Sequence, residues 1–216
     1  DWGFDKHPPF SAFAVEVFFS FFGPQDWAYY LLSQVFVVIA FFFVWKLSNE
    51  MFQNKIYSLL SVLILEGVYF YNFTSPEFNV NISQLPFFAL TAFFLWRSIN
   101  SNKISNWVLF GVFSALGFLS KYLFIYLLIS IFLFLVIIYF KNKKFFLNYL
   151  LSILISLIIL CPHFIWLFKN DFVTIFYGLN RSSLSENNFL NHLINPTVFI
   201  FKQVAVIAPF LIMGSI

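Results

Sequence analysis

Charged residues are scarce in this sequence: Asp, Glu, Lys and Arg make up 10% of its 216 residues, against about a quarter in an average soluble domain. Cysteine is scarcer still, because Cys161 has no second cysteine in the chain with which to pair. Glycine occurs only seven times, which gives little support to helix packing through small residues. These shortages exclude a soluble enzyme and a scaffold held by internal disulfides.

Long apolar segments take the place of the missing charge. Hydrophobic residues make up 61% of the chain, and 36 of them are phenylalanine. Runs such as 28–45, 122–140 and 148–167 are apolar on every side, and at about 1.5 Å per residue each is long enough to cross a hydrocarbon core. The sequence therefore predicts an all-α, polytopic membrane helical bundle.

The apolar runs predict about seven spans and one helix that lies in the outer interface. The interfacial helix covers 9–22, and the spans cover 28–46, 56–72, 82–98, 105–119, 122–140, 147–166 and a stretch from 203. Alternate connections carry one acid, Glu50, and seven basic residues: Lys46, Lys55, Arg97, Lys103, Lys141, Lys143 and Lys144. By the positive-inside rule this side is cytoplasmic. We expect the chemistry on the opposite side, where the loops are longer and mixed in charge.

The run Asp5-Lys6-His7 precedes the interfacial helix. Lys6 is suited to neutralise a lipid phosphate, while Asp5 or His7 could bind a divalent metal or move a proton. A solvated loop with charges at the membrane edge explains the same residues equally well.

A second polar group, Glu77, Asn79 and Asn81, lies between two spans on the same side. Alternate residues of an extended segment face the same way, so these three are predicted to form one polar ridge toward a cavity. The competing interpretation is an ordinary hydrophilic loop.

Four further residues are candidates on that side. Lys121 and Tyr122 separate two apolar segments, and such a lysine either snorkels to the interface or faces an anion. His163 is suited to ligate a metal or move a proton, although a structural role is the commoner one for a lone histidine. Arg181 is suited to hold a phosphate with two hydrogen bonds.

Several motifs in consistent order resemble those of glycosyltransferase family 39. They are W-G-F-D-K-H-P-P-F at 2–10, P-E-F-N-V-N at 76–81, L-P-F-F-A-L-T at 85–91, L-G-F-L-S-K-Y at 116–122 and P-H-F-I-W at 162–166. The family includes protein O-mannosyltransferases and bacterial lipid A aminoarabinose transferases.

The resemblance implies the C-type glycosyltransferase fold and an enzyme of the bacterial inner membrane with a periplasmic active face. It implies transfer of a sugar from a polyprenyl-phosphate donor to a lipid, glycan or protein acceptor. The expected partners also include membrane lipid, and no nucleic acid is expected to bind. The alternative is a lipid or glycolipid transporter or flippase, which predicts internal repeats; a third class is a non-catalytic membrane subunit.

The resemblance also assigns roles. Asp5 matches an acid near a metal, Lys6 a lysine near the donor phosphate, and His163 a second metal position, so a divalent metal ion is the cofactor considered. The family's acidic outer-loop motif would lie upstream of Asp1, and 1–216 is therefore predicted to be a single incomplete transmembrane glycosyltransferase domain. The main catalytic acid is expected in that upstream motif, and within this chain the predicted catalytic acids are Glu77 and Asp5. The predicted substrate and phosphate ligands are Lys6, His7, Asn79, Asn81, Lys121, Tyr122 and Arg181.

Overall fold

All regular elements in the described part of the chain are helical. The computed structural model describes residues 2–139, 143–182 and 191–214. The helices are α1 (Phe10–Phe22), α2 (Asp26–Phe52), α3 (Lys55–Glu66), α4 (Val80–Ser101), α5 (Ile104–Ser120), α6 (Ile125–Tyr139), α7 (Lys143–Lys169), α8 (Val173–Ser182) and α9 (Asn191–Gly214), with a 3-10 turn at Tyr122–Phe124 before α6. The all-α prediction is confirmed.

Three of the described helices, α2, α4 and α7, are long and apolar enough to cross a membrane. α1, α5 and α6 are shorter apolar helices. α1 has 13 residues and packs against α2, α4 and α5. The protein is thus an integral membrane protein by helix length and composition, while the count of seven spans and the C-type fold stay predictions.

The second predicted span is shorter than expected. Its helix, α3, ends at Glu66 after 12 residues, and residues 67–74 form hydrogen-bonded turns. The backbone N–H of Gly67 bonds to Leu63 O at the end of the helix. The predicted span 56–72 would contain Glu66. In the structure Glu66 is instead exposed at the end of α3.

Two polar contacts bring the basic connections together at one end of the bundle, which we call the basic end. Arg97 in α4 forms a salt bridge of 2.7 Å with Glu50 in α2. The Asn148 side-chain amide in α7 donates to Asn102 Oδ1, between α4 and α5, at 3.0 Å. These contacts agree with the predicted grouping of the connections around Glu50, Arg97 and the start of α7, whereas Lys141 lies outside the described residues.

α4 lies at the centre of the described bundle, packed against α2 on one side and α5 on the other, with α7 behind α5. Its buried face combines Ile82, Leu85 and Ala89 with apolar residues of α2. On the far side of α5, the fully buried Trp107 stacks edge-on against Phe145 of α7. This packing fixes the relative positions of the helix ends that carry the polar residues.

Gly111 permits the close approach of α5 to α7. A Cβ at this position would lie 2.5 Å from Ser152 O of α7, and the Ser156 hydroxyl donates to Gly111 O at 2.7 Å. We expect Gly111→Ala to lower the free energy of unfolding by about 1–3 kcal/mol, since the backbones must separate. Gly178→Ala is the matched control, because its Cβ meets nothing within 4 Å; equal losses in both variants, measured by thermal unfolding in detergent, would contradict this account.

Candidate active site

Residues 2–9, which we call the N-terminal strap, are attached to the bundle through two backbone carbonyls. His163 Nδ1 in α7 bonds to Trp2 O at 2.6 Å, and the Thr174 hydroxyl in α8 donates to Phe4 O at 2.6 Å. Both residues are buried: His163 is fully buried and Thr174 is 2% exposed. The start of the strap therefore sits against the end of α7 and the start of α8.

The rest of the strap presents two charged residues between buried anchors. Pro8 and Pro9 are fully buried where the strap enters α1, and their rings restrict the backbone. Asp5 and Lys6 are exposed, and Lys6 Nζ lies 5.8 Å from the centroid of the Tyr177 ring in α8. A rigid frame on both sides thus holds an acid and a cation toward solvent.

The path of the strap requires glycine at position 3. Gly3 is buried, and a Cβ there would overlap the Trp166 ring. We expect Gly3→Ala to lower the free energy of unfolding by about 1–3 kcal/mol through overpacking and to displace Lys6. In thermal unfolding, a second change, Trp166→Leu, should restore part of the loss; if it adds to the loss instead, the contact is not its source.

His163 has a defined hydrogen-bonding pattern. Its Nδ1 faces a carbonyl, which can only accept, so Nδ1 carries the proton. In the neutral imidazole Nε2 is then the acceptor, and the Tyr122 hydroxyl donates to it at 2.8 Å. The imidazole also lies parallel to the Trp166 ring, with an interplanar angle of 9° and centroids 6.2 Å apart.

This pattern does not fit the metal site predicted from Asp5 and His163. A ligating imidazole must offer a nitrogen lone pair, and the lone pair of Nε2 is engaged by Tyr122. Within the part of the chain that the structure describes, no three His, Cys, Asp or Glu side chains group closely enough to hold a metal ion.

Lys121 and Tyr122 connect the end of α7 with the start of α4. Lys121 follows α5 in an extended conformation, and its Nζ donates to Asn81 Oδ1 at 2.5 Å. Tyr122, its neighbour, bonds to His163. The strap, Lys121 and Asn81 therefore lie at the same end of the bundle, which we call the strap end.

The loop before α4 carries Glu77 at this end. The Ser33 hydroxyl of α2 donates to Ser75 O at 2.5 Å, which ties the loop to the bundle, and the Glu77 side chain is exposed. Asn79 Oδ1 accepts from the backbone N–H of Asn81 at 2.8 Å and caps α4.

The predicted extended ridge of Glu77, Asn79 and Asn81 is wrong, because α4 begins at Val80 and Asn81 lies in its first turn. Asn79 is a helix cap, and its Nδ2 donates to Glu77 O at 3.1 Å. Asn81 nevertheless lies beside a cation through its bond to Lys121.

Two predicted ligands are described less fully. His7 is half-buried in the strap. Arg181 belongs to the backbone of α8, but its side chain lies outside the described residues.

A family model described as dolichyl-phosphate-mannose-protein mannosyltransferase matches residues 6–166, about three quarters of the chain. The chain belongs to this family. No curated protein and no solved structure matches it. The resemblance to family 39 is thereby confirmed. This family implies membrane glycosyltransferase activity in general, with a lipid-linked sugar donor and an acceptor.

The matched range in this mannosyltransferase family begins at Lys6 and ends at Trp166, so it contains Glu77 and Lys121 as well as His163. Sequence reasoning missed Thr174 and Gly3. The signal for Gly3 was its position in the motif at 2–10, whereas Thr174 carries no local signal. Among the described residues, the buried Oε1 of Gln84 has no hydrogen-bond partner.

Proposed function

We propose that this protein transfers a sugar from a polyprenyl-phosphate donor to a lipid, glycan or protein acceptor on the extracytoplasmic face of a bacterial inner membrane. The observation that carries the proposal is the exposed Asp5-Lys6 pair of the strap, anchored at the same end of the bundle as Lys121. The family's description, which names a lipid-phosphate sugar donor, supports it.

The cations suit the donor. Its phosphate is anionic and its isoprenoid tail stays in the bilayer, so the binding cations belong at the membrane edge. Lys6 is exposed in the strap before α1, and Lys121 follows α5, where its Nζ donates to Asn81 Oδ1. In the proposed complex Lys6 and Lys121 bind the phosphate, with Tyr122 and Asn81 beside it and with Arg181, His7 and Asn79 completing the polar surface.

The reaction is a substitution at the anomeric carbon. The acceptor hydroxyl oxygen forms a bond to that carbon while the bond from the carbon to the phosphate oxygen breaks. Polyprenyl phosphate leaves with the electron pair, and the acceptor proton passes to a carboxylate, for which Glu77 and Asp5 are the candidates in this chain. Lys6 and Lys121 stabilise the charge that develops on the leaving phosphate.

The proposed sidedness follows from charge. Lys46, Lys55, Arg97 and Lys103 lie at the basic end, which the positive-inside rule assigns to the cytoplasm. The strap end then faces the periplasm, and the proposed reaction there uses a polyprenyl-phosphate sugar and not a nucleotide-sugar.

A panel of donors tests the proposal. The purified full-length protein, in lipid nanodiscs that also hold membrane lipids and glycans as acceptors, is offered polyprenyl-phosphate mannose, other polyprenyl-phosphate sugars and nucleotide-sugars, and released polyprenyl phosphate and nucleotide are measured. We expect turnover of at least one polyprenyl-phosphate sugar and of no nucleotide-sugar. Turnover of nucleotide-sugars alone would contradict the proposed donor.

A further inference from the structure

Two hydrogen bonds to backbone carbonyls hold the start of the strap, and the buried Pro8 and Pro9 hold its end. The two donors, His163 Nδ1 and Thr174 Oγ1, come from different helices and bond to carbonyls two residues apart, at 2.6 Å each. Asp5 follows the second of these carbonyls directly. Consecutive Cα atoms are about 3.8 Å apart, so the Lys6 Cα lies within roughly two such steps of the Phe4 Cα.

The burial of the two donors makes these bonds specific. Each is nearly inaccessible to solvent, so water cannot replace the partner that a substitution removes. A carbonyl that faces the bundle and has lost its donor is costly, and the strap can recover the loss by moving that carbonyl into water. That movement would carry Asp5 and Lys6 away from the bundle.

Tyr122 and Trp166 hold the His163 ring in the orientation in which Nδ1 faces Trp2 O. Because Nδ1 donates to Trp2 O, Nε2 accepts from Tyr122, and the parallel Trp166 ring limits rotation of the imidazole. Trp166 also lies directly over Gly3 of the strap. The surroundings of His163 therefore occupy both ring nitrogens, and they leave no lone pair directed at a metal.

We propose that His163 and Thr174 are positioning residues that clamp the carbonyls of Trp2 and Phe4 and thereby set the place of Lys6, and that His163 is not a metal ligand. The clamp itself stands on the geometry alone. Its effect on catalysis rests on the proposed function, in which Lys6 binds the donor phosphate.

Trypsin cleavage after Lys6 tests the clamp without any assay of activity. Cleavage of a held segment requires local opening, so the rate reports how firmly the strap is attached. In nanodiscs we expect Thr174→Val to raise the rate about tenfold, because it removes a hydroxyl that bonds to Phe4 O and also interacts with the Tyr122 side chain. Thr174→Ser should restore the rate of the unsubstituted chain, and Ser130→Ala, which removes a hydroxyl bonded only within α6, should leave it unchanged.

The histidine arm uses the same readout. His163→Ala should also raise cleavage after Lys6 about tenfold, while His163→Asn, whose amide can still donate to Trp2 O, should raise it less. All rates are taken relative to cleavage after Lys103 at the basic end. Unchanged ratios in both Thr174→Val and His163→Ala would overturn the clamp, and so would an equal rise at Lys103, which would indicate general loosening.

The kinetic and metal arms separate the clamp from its competitors. We expect Thr174→Val to raise KM for the polyprenyl-phosphate donor with little change in kcat, and to have no further effect once Lys6→Ala is present. Additive effects would overturn the positioning role.

If the chain incubated with Mn²⁺ or Zn²⁺ retains one equivalent of metal that His163→Asn loses, the assignment of His163 is overturned. Absence of donor turnover in the unsubstituted chain would count against the proposed function only, because the cleavage ratios still test the clamp.

Discussion

Lys6→Ala is expected to lower kcat/KM for the polyprenyl-phosphate donor by about 100-fold. The lysine is exposed in the strap and, in the proposed complex, bonds to the donor phosphate. A charge-assisted hydrogen bond of this kind contributes an amount equivalent to roughly 10- to 100-fold in binding. The measurement is the initial rate of polyprenyl phosphate release in nanodiscs over a range of donor concentrations.

Lys103→Ala is the matched control for this variant. Lys103 is also an exposed lysine next to a helix start, but it lies at the basic end. We expect it to retain the rate of the unsubstituted chain. Similar losses in both variants would mean that the lysines act through net charge, and the assignment of the phosphate to the strap end would be wrong.

Glu77→Gln is expected to lower kcat by about 10²- to 10⁴-fold, the range attributed to general base catalysis. Glutamine keeps the size of the side chain and removes its ability to take the acceptor proton. The loop is held by the hydrogen bond from the Ser33 hydroxyl to Ser75 O. The substitution should therefore leave the fold and the KM for the donor nearly unchanged. The rate is measured at saturating donor, so that it reports the chemical step.

Glu66→Gln controls for the loss of an acid. Glu66 is exposed at the end of α3, before the loop that carries Glu77, and its substitution should leave kcat unchanged. If Asp5→Asn lowers kcat and Glu77→Gln does not, the proton acceptor among these residues is Asp5. If neither variant changes kcat, neither carboxylate is the base.

The helices could largely be predicted from the sequence, because hydropathy reports burial in lipid directly. α2, α4 and α7 coincide with long apolar runs, and α1 with a short run between turn residues. The end of α3 was not placed from the sequence, because Val68, Tyr69, Phe70 and Tyr71 continue the run of apolar and aromatic residues although they form turns. Asn79 is a different case: an asparagine before an apolar run is an N-cap signal, and it was interpreted as part of an extended ridge.

The contacts of the candidate site were only partly predictable. The motif at 116–122 indicated Lys121 and Tyr122, but not that they reach Asn81 and His163. The clamp joins residues 161 and 170 positions apart. Its acceptors are backbone carbonyls, which every residue possesses, so no side-chain pattern marks Trp2 or Phe4 as partners.

The central claim is that the bond between sugar and phosphate is broken at the strap end. The most direct test is to reconstitute the chain in liposomes with a polyprenyl-phosphate donor that carries labels in both the sugar and the lipid, and to follow the two labels separately. The account predicts that polyprenyl phosphate accumulates as the sugar label appears on an acceptor, and that Lys6→Ala slows both together. Movement of the intact donor from one leaflet to the other, with both labels still joined, would contradict it and identify a flippase.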